Sequence, residues 1–181
     1  MTMLKFIAIA AVLLVVVMGA VVAYAATRPD HMRIQRQARI QAPAEKIFPL
    51  ITDFHRWALW SPYEKLDPAM QRSFAGAASG KGAVYEWSSD GKAGAGRMEI
   101  ADAASPSLVR INLDFTKPMR TSNIAQFTLE PDGDATRVSW SMDGPAPLVA
   151  RVMGLFVDMD KMIGRDFETG LANLKAATEG G

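Results

Sequence analysis

Hydrophobic and polar positions form three patterns along this chain. The first is an uninterrupted apolar run from Phe6 to Ala26, FIAIAAVLLVVVMGAVVAYAA, without a charged residue. Residues 32–142 then contain short segments in which apolar and polar positions alternate, and from about Pro147 to Thr178 apolar residues recur every three or four positions. These periods predict, in order, an apolar helix, a set of β-strands and a C-terminal amphipathic helix.

The apolar run is long enough to cross a membrane, because its 21 residues would form a helix of roughly 30 Å. Two interpretations stay open. Lys5 and the small-x-small sequence at Ala23–Ala25 are typical of a cleaved signal peptide. The run, however, exceeds the usual apolar core of a signal peptide, about 7–15 residues, and Tyr24 lies where an interfacial ring is expected. We therefore favour a transmembrane anchor at residues 1–27, inserted through 6–26, followed by a folded domain at 28–181.

The side of the membrane on which the folded domain lies is open. Arg28 and the arginines that follow it favour a cytoplasmic domain by the positive-inside rule. Residues 33–39, however, are expected to belong to a strand, and the short basic start before the small-x-small sequence is typical of export. We expect a single-pass membrane protein whose domain is exported, as to a periplasm.

The alternating segments predict an antiparallel sheet. Residues 32–40 alternate as a half-buried strand. A helix is expected after Pro43, with a kink or break at Pro49, and a second short helix capped by Asp53 and closed by Pro62. From about Arg72 some six further strands are expected, separated by turns such as Asp90–Gly91. They include AVYEWSS, GRMEI, LVRINLDF, SNIAQFTLE and TRVSWSM. Consecutive strands with short turns predict an α+β fold with an antiparallel meander.

The C-terminal pattern predicts one long helix from about Pro147 to Thr178. Its apolar stripe is Val152, Phe156, Met159, Ile163, Phe167, Leu171 and Leu174. Such a stripe is typical of a helix that packs on a core. Three glycines, at positions 154, 164 and 170, weaken the helix by about 1 kcal/mol each, and they would serve either close packing or flexing.

Several stretches resemble the membrane-anchored branch of the START-like (SRPBCC) superfamily, often described as polyketide cyclase/dehydrase-type proteins. They are DFHRWALWSPYEKLDPAM, GAVYEWSSDGKAGAGRMEI, LDFTKP, TRVSWSMDGP and MGLFVDMDKMIGRDFETGLANLK. The resemblance implies a helix-grip fold, in which a curved antiparallel sheet of about six to seven strands surrounds a long C-terminal helix and encloses a cavity for a hydrophobic ligand. It carries no catalytic residue set to this chain.

We expect the ligand cavity to be lined by apolar and aromatic side chains from the sheet, the loop after the second short helix, and the C-terminal helix. These are Trp60, Tyr63, Tyr85, Trp87, Met98, Ile111, Leu113, Phe127, Trp140, Met142, Phe156, Met159 and Ile163. Trp60 and Tyr63 would cap the entrance, while Glu64, Lys65 and Asp67 would form its solvated rim.

Other chemistry finds little support. The 20 basic and 19 acidic residues nearly cancel, so no basic stripe indicates nucleic acid. There is no cysteine and there are two histidines, so we expect no metal, and no motif predicts a cofactor. If the domain were an enzyme of cyclase or dehydratase type, the strand residues Glu86 and Asp114 would be the acid–base candidates, with Tyr85 as a polarising group.

Three functional hypotheses follow. The first is membrane-tethered binding of a hydrophobic small molecule or lipid between the sheet and the C-terminal helix. The second is the cyclase- or dehydratase-like enzyme just described. The third is an interaction module with a filled core that acts through its surface. The sequence indicates neither the ligand nor the oligomeric state.

Overall fold

In the computed structural model, residues 2–180 are described, and within them two compact units are distinguished. The smaller unit contains residues up to Met32 together with Pro145–Met159, and the larger contains Arg33–Gly144 and the residues from Asp160 onwards. The domain boundary after residue 27 stays a prediction.

The smaller unit is built on two helices. The first, α1 (Thr2–Ala26), is exposed along its apolar surface. Its segment Lys5–Ala26 has a mean hydropathy of 3.1 over an 18-residue window and is long enough to span a bilayer, a property that a signal sequence shares. The short helix α3 (Leu148–Met153) contacts α1 and ends at Gly154.

The larger unit is an α+β structure with one antiparallel sheet, as the alternation predicts. Its seven strands lie in the order β1-β7-β6-β5-β4-β3-β2, which is a meander closed at one edge by the first strand. The strands are β1 (His31–Ile40), β2 (Gln71–Gly76), β3 (Ala83–Ser88), β4 (Ala95–Ala104), β5 (Leu108–Lys117), β6 (Thr121–Asp132) and β7 (Ala135–Pro145). The C-terminal helix α4 (Met159–Glu179) packs on this sheet through a stripe centred on Phe167, Leu171 and Leu174. The helix-grip prediction is thus confirmed.

Small helices join β1 to β2. They are α2 (Ala44–Thr52) and the 3₁₀ helices η1 (Phe54–Leu59) and η2 (Pro62–Lys65). The Asp53 carboxylate accepts a hydrogen bond from the His55 backbone N–H at 3.0 Å, which confirms the predicted cap. Of the kink or break predicted at Pro49, the break is wrong, because α2 continues through it to Thr52. Ile47, Leu50 and Ile51 of the same helix are buried, and this packing offsets the backbone hydrogen bond that a proline cannot donate.

The prediction of one helix from Pro147 to Thr178 is also wrong. The chain forms α3 and α4, separated by residues 154–158. Gly154 ends α3 by donating its N–H to the Ala150 carbonyl at 2.8 Å. Phe156, which the periodicity placed on the apolar stripe, lies between the helices and is 77% exposed.

Candidate functional site

Side chains on the α4-facing side of the sheet line up in rows, because antiparallel register places residues directly opposite one another. The rows are defined by the pairs Phe127–Trp140, Ile111–Ala125, Ala125–Met142, Ile100–Ile111 and Met98–Leu113. Most of the residues predicted to line a cavity therefore do lie on one face of the sheet. Their surroundings, however, differ from one end of that face to the other.

One end of the face is filled by aromatic rings. The indole of Trp140 stacks on the Phe167 ring of α4, with centroids 4.1 Å apart and planes 6° from parallel. It also lies 4.9 Å from the Phe127 ring and 5.5 Å from that of Trp60. Trp60 and Phe127 have no solvent exposure. We call this group, Trp60, Phe127, Trp140 and Phe167, the sealed end.

A glycine in α4 allows this close packing. A Cβ at Gly170 would lie 2.7 Å from Cζ3 of Trp140 and 3.2 Å from Cδ of Pro62. The first distance is shorter than carbon atoms tolerate, so a larger residue would push the helix away from the sheet. Of the two uses of the helix glycines left open by the sequence, close packing is the one found at Gly170.

The other end of the face keeps some contact with solvent. Met98, Leu113, Asn123 and Met142 are 8–9% exposed, whereas Ile100, Ile111 and Phe127 on the same strands are at 0%. The change occurs within β4, β5, β6 and β7 alike, so it is a property of the face and not of one side chain. We call this end, Trp87, Met98, Leu113, Phe115, Asn123 and Met142, the accessible end.

Two aromatic rings border the accessible end. The half-buried rings of Trp87 and Phe115 meet edge to face with centroids 5.6 Å apart. The Trp87 indole N–H donates to the Ala93 carbonyl at 2.9 Å. Its ring lies directly over Gly96, where a Cβ would be 2.5 Å from Cη2 of the indole.

The accessible end also contains an amide. Asn123 is buried, and its side chain lies against Gly144, where it would collide with a Cβ. Its Nδ2 group donates to Thr121 Oγ1 over a long 3.4 Å. A polar group of this kind within an apolar wall can fix the orientation of a bound molecule.

A polar cluster holds η2 on the edge of the sheet beside this face. The Glu64 carboxylate accepts hydrogen bonds from the Tyr85 hydroxyl and from Arg72 Nε, both at 2.6 Å. Arg72 also donates to the backbone carbonyls of Glu64 and Met70. Burial, followed by the nearby Glu64 carboxylate, raises the pKa of Tyr85. The Glu64 side chain is 8% exposed, so its prediction as part of a solvated rim is wrong.

The strand carboxylates considered for catalysis lie elsewhere. Glu86 is adjacent to Tyr85 in β3, and strand alternation turns it to the opposite face of the sheet. There it is 55% exposed, within 3.7 Å of Arg97. Asp114 is half-buried and lies opposite Arg97 in the β4–β5 register. Of Glu86, Asp114 and Tyr85, only Tyr85 points towards the inner face. Its hydroxyl already donates a hydrogen bond to Glu64.

A solvent-open pocket of about 410 Å³ lies between the β3–β4 and β5–β6 turns. It is lined by Ser89, Asp90, Gly91, Lys92, Gly94, Lys117 and Pro118. The Ser89 hydroxyl donates to Asp67, and this hydrogen bond lowers the pKa of the Asp67 carboxyl. Because these turns follow Trp87 and Phe115 along their strands, the pocket adjoins the accessible end.

The remaining predicted residues are scattered. Tyr63 is half-buried near Trp140, with ring centroids 6.3 Å apart, and burial raises its pKa. Met159 and Ile163, in the first two turns of α4, are half-buried, and Phe156 is exposed.

The family model for "Polyketide cyclase / dehydrase and lipid transport" matches residues 31–179. The chain belongs to this family. Members of a polyketide cyclase/dehydrase and lipid transport family are expected to bind hydrophobic ligands, but the match does not assign a ligand or a reaction to this chain. No functionally curated protein matches the chain significantly.

Solved structures show the same fold at low sequence identity. Protein CV1439 from Chromobacterium violaceum is 16% identical with a TM-score of 0.58, over 84% of this chain and 99% of that one. The Aha1 dimer from Colwellia psychrerythraea is 18% identical with a TM-score of 0.58, over 82% and 96%. DynU16, a putative protein of the dynemicin biosynthetic locus, is 16% identical with a TM-score of 0.56, over 84% of this chain and 48% of its own. These proteins share the fold of this chain. At such low sequence identity, they do not assign it a function.

Sequence reasoning missed two residues of this region, Asn123 and Phe115, and placed a third, Glu64, in the wrong surroundings. Asn123 and Phe115 lie in alternating strands, so their inward direction could have been read from the same period that found Leu113. Glu64 had no such signal, since its burial depends on Arg72 and Tyr85 from two later strands.

Proposed function

We propose that this chain binds a hydrophobic small molecule or lipid at the accessible end of its sheet, while α1 tethers it to a membrane. The observation that carries the binding proposal is the graded burial of the α4-facing surface. Each of β4 to β7 has one fully buried residue on this face and another that is 8–9% exposed, so an apolar ligand would enter from the exposed end. Family membership supports the same class of ligand.

The residues at the accessible end suit such a ligand. Met98 and Met142 have flexible, polarisable side chains that adapt to irregular apolar shapes. Trp87 and Phe115 offer ring surfaces, and the Asn123 amide offers a polar contact for one end of the molecule. Burying ~200 Å² of ligand surface would contribute about 5 kcal/mol before the costs of association.

The tether rests on α1. It is exposed, apolar and long enough to span a bilayer, and in the smaller unit it is connected to the folded segment that includes α3. A cleaved signal sequence would leave binding at the accessible end unchanged, so the two parts of the proposal are tested separately.

Native mass spectrometry of the full chain, released from mild detergent, tests the binding. The wild-type chain is expected to retain an apolar molecule of defined mass. Leu113→Trp should fill the accessible end and abolish retention. The matched control is Asn112→Trp, because Asn112 is the preceding residue on β5 and is exposed on the other face.

Equal retention by Leu113→Trp and Asn112→Trp would contradict the proposed site, since the ligand would then lie elsewhere, for example against α1. An empty wild-type chain that also takes up no added phospholipid or quinone would contradict ligand binding itself. Circular dichroism of both variants establishes that the comparison is made on folded protein.

A further inference from the structure

The smaller unit exposes a second apolar surface besides α1. Phe156 is 77% exposed, and four neighbours on α3 and the following turn are also exposed. The complete set, which we call the α3 patch, is Leu148, Val149, Met153, Phe156 and Val157. Scattered exposed apolar residues are ordinary on soluble proteins, but a contiguous group of large ones marks an interaction or membrane surface.

The α3 patch is fixed to the C-terminal end of α1. The Nη1 group of Arg151 donates hydrogen bonds to the Ala26 and Arg28 carbonyls, each at 3.1 Å. The last carbonyls of a helix have no partner within the helix, so Arg151 supplies one from α3. A further backbone bond, from Ala146 N–H to the Asp30 carbonyl at 2.6 Å, ties the start of this segment to the residues after α1.

That end of α1 has the composition of a membrane–water boundary. The guanidinium of Arg28 lies over the Tyr24 ring, 5.4 Å from its centroid. Amphipathic rings and cationic side chains at the end of an apolar run are typical of the headgroup layer. Arg151 therefore holds the α3 patch at the level along α1 where the hydrocarbon layer would end.

We propose that the α3 patch inserts into the interfacial layer of the phospholipid bilayer that α1 enters, as a second membrane contact beside the span. This inference rests on the tether in the proposed function. Arg151 joins the patch to the end of α1, the helix that the proposed tether places in lipid, which favours a bilayer over a second copy of the chain. Amphipathic segments of this kind lie about 5–10 Å into the boundary between headgroups and acyl chains.

The absence of cysteine from the sequence permits a direct test on the full chain. Phe156→Cys and Met153→Cys are each labelled with an environment-sensitive nitrobenzoxadiazole dye and reconstituted in phosphatidylcholine–phosphatidylglycerol nanodiscs. The nanodiscs carry doxyl quenchers either at shallow or at deep acyl positions. Val16→Cys, in the middle of α1, reports the span, and Leu59→Cys, an exposed leucine of η1 in the larger unit, is the matched surface control.

The expected result is a blue-shifted emission at positions 153 and 156 with stronger quenching by the shallow doxyl lipid. Position 16 should be quenched most by the deep lipid, and position 59 by neither. Quenching at 16 without quenching at 153 and 156 would overturn the inference while leaving the tether intact. A blue shift at 156 without lipid quenching would instead indicate a protein contact, and would also overturn it.

Two other results would overturn the inference on different grounds. If position 16 is not quenched, the tether of the proposed function has failed, and the interfacial contact fails with it. If position 59 is quenched as strongly as position 156, exposed apolar residues adsorb to lipid without regard to location. Binding at the accessible end is measured in the separate mass-spectrometric experiment and is affected by neither result.

Discussion

Val138 and Met142 lie on the same face of β7, yet Val138 is completely buried and Met142 retains contact with solvent. The same contrast separates Ile111 from Leu113 on β5. At the sealed end, rings from the sheet, from η1 and its cap, and from α4 touch one another directly. At the accessible end, methionine, leucine and asparagine side chains are bordered by turns.

Under the proposed function, this one apolar face would serve two purposes. Close-packed rings contribute dispersion and hydrophobic free energy that holds α4 on the sheet. Flexible side chains that keep a small contact with solvent would contribute less stability but allow rearrangement around a guest molecule. Substitutions at the sealed end should therefore change the free energy of unfolding, and those at the accessible end should change ligand retention.

The largest effect is expected from Phe167→Ala. Removal of the ring that stacks on Trp140 leaves a cavity in the sealed end, and such truncations cost about 3–5 kcal/mol of unfolding free energy. Phe156→Ala is the matched control, because that ring is exposed, and should change stability by no more than about 0.5 kcal/mol. Urea denaturation of the full chain in detergent, followed by circular dichroism, measures both. Similar losses for the two variants would contradict the assignment of the sealed end as the main source of stability.

The next effect concerns Gly170→Ala, for which two rules oppose each other. Alanine is favoured over glycine in a helix by about 1 kcal/mol, whereas the added Cβ would collide with Trp140 and overpacking costs about 1–3 kcal/mol. We expect net destabilisation. Ala176→Gly, at an exposed position of the same helix, should lose about 1 kcal/mol by propensity alone. A stabilised Gly170→Ala variant would show that α4 does not approach the sheet so closely.

Much of this architecture could be predicted from local patterns. Strand alternation identified Ile111, Phe127 and Trp140 as inward-facing, because a period of two fixes the face once one position is known. Short turns between successive strands determined the antiparallel order. The α+β fold with a C-terminal helix is confirmed for these reasons.

The predictions that failed concern helix bounds and side-chain burial, which depend on contacts with residues far away in the sequence. The period of three to four continues through residues 154–158, so the pattern could not show that the helix is interrupted there. The burial of Glu64 depends on an arginine and a tyrosine that follow it by 8 and 21 positions. Likewise, alternation places Leu113 and Ile111 on one face of the sheet but does not show which of the two is completely buried.

A substitution in the Glu64 cluster tests whether these hydrogen bonds hold η2 on the edge of the sheet beside the accessible end. Glu64→Gln replaces charge-assisted hydrogen bonds to Arg72 and Tyr85 by weaker ones and leaves a half-buried guanidinium without its counter-ion, so we expect a loss of about 1–3 kcal/mol. Glu86→Gln is the control, since that carboxylate is mostly exposed and 3.7 Å from Arg97, and its effect should lie within about 0.5 kcal/mol. Urea midpoints compare the two. An equal effect would mean that η2 is not held by this cluster.

The smallest effect is expected where α4 begins. The guanidinium of Arg36 donates to Asp160 at 2.8 Å and to Glu168 at 2.8 Å, and lies over Gly164, where a Cβ would collide with it. The Arg36 hydrogen bond lowers the pKa of Asp160 below its ordinary value of 3.8. The folded state therefore binds fewer protons at this site, so the stabilisation is complete above pH 3.8 and is lost as the pH falls through the lower folded value.

Asp160→Asn should remove this contribution at neutral pH, where it is fully present but small because the carboxylate is 60% exposed. It should also flatten the decline of stability between pH about 5 and about 2. Asp90→Asn, at a fully exposed side chain, should leave that decline unchanged. Urea midpoints across this range, measured on the full chain, give the comparison. The solvent-exposed carboxylates limit the strength of this contact, so the first turns of α4 are held less firmly than the ring-packed middle. If Asp160→Asn instead destabilised the chain as much as Phe167→Ala, the ion cluster and not the aromatic stack would hold the helix on the sheet.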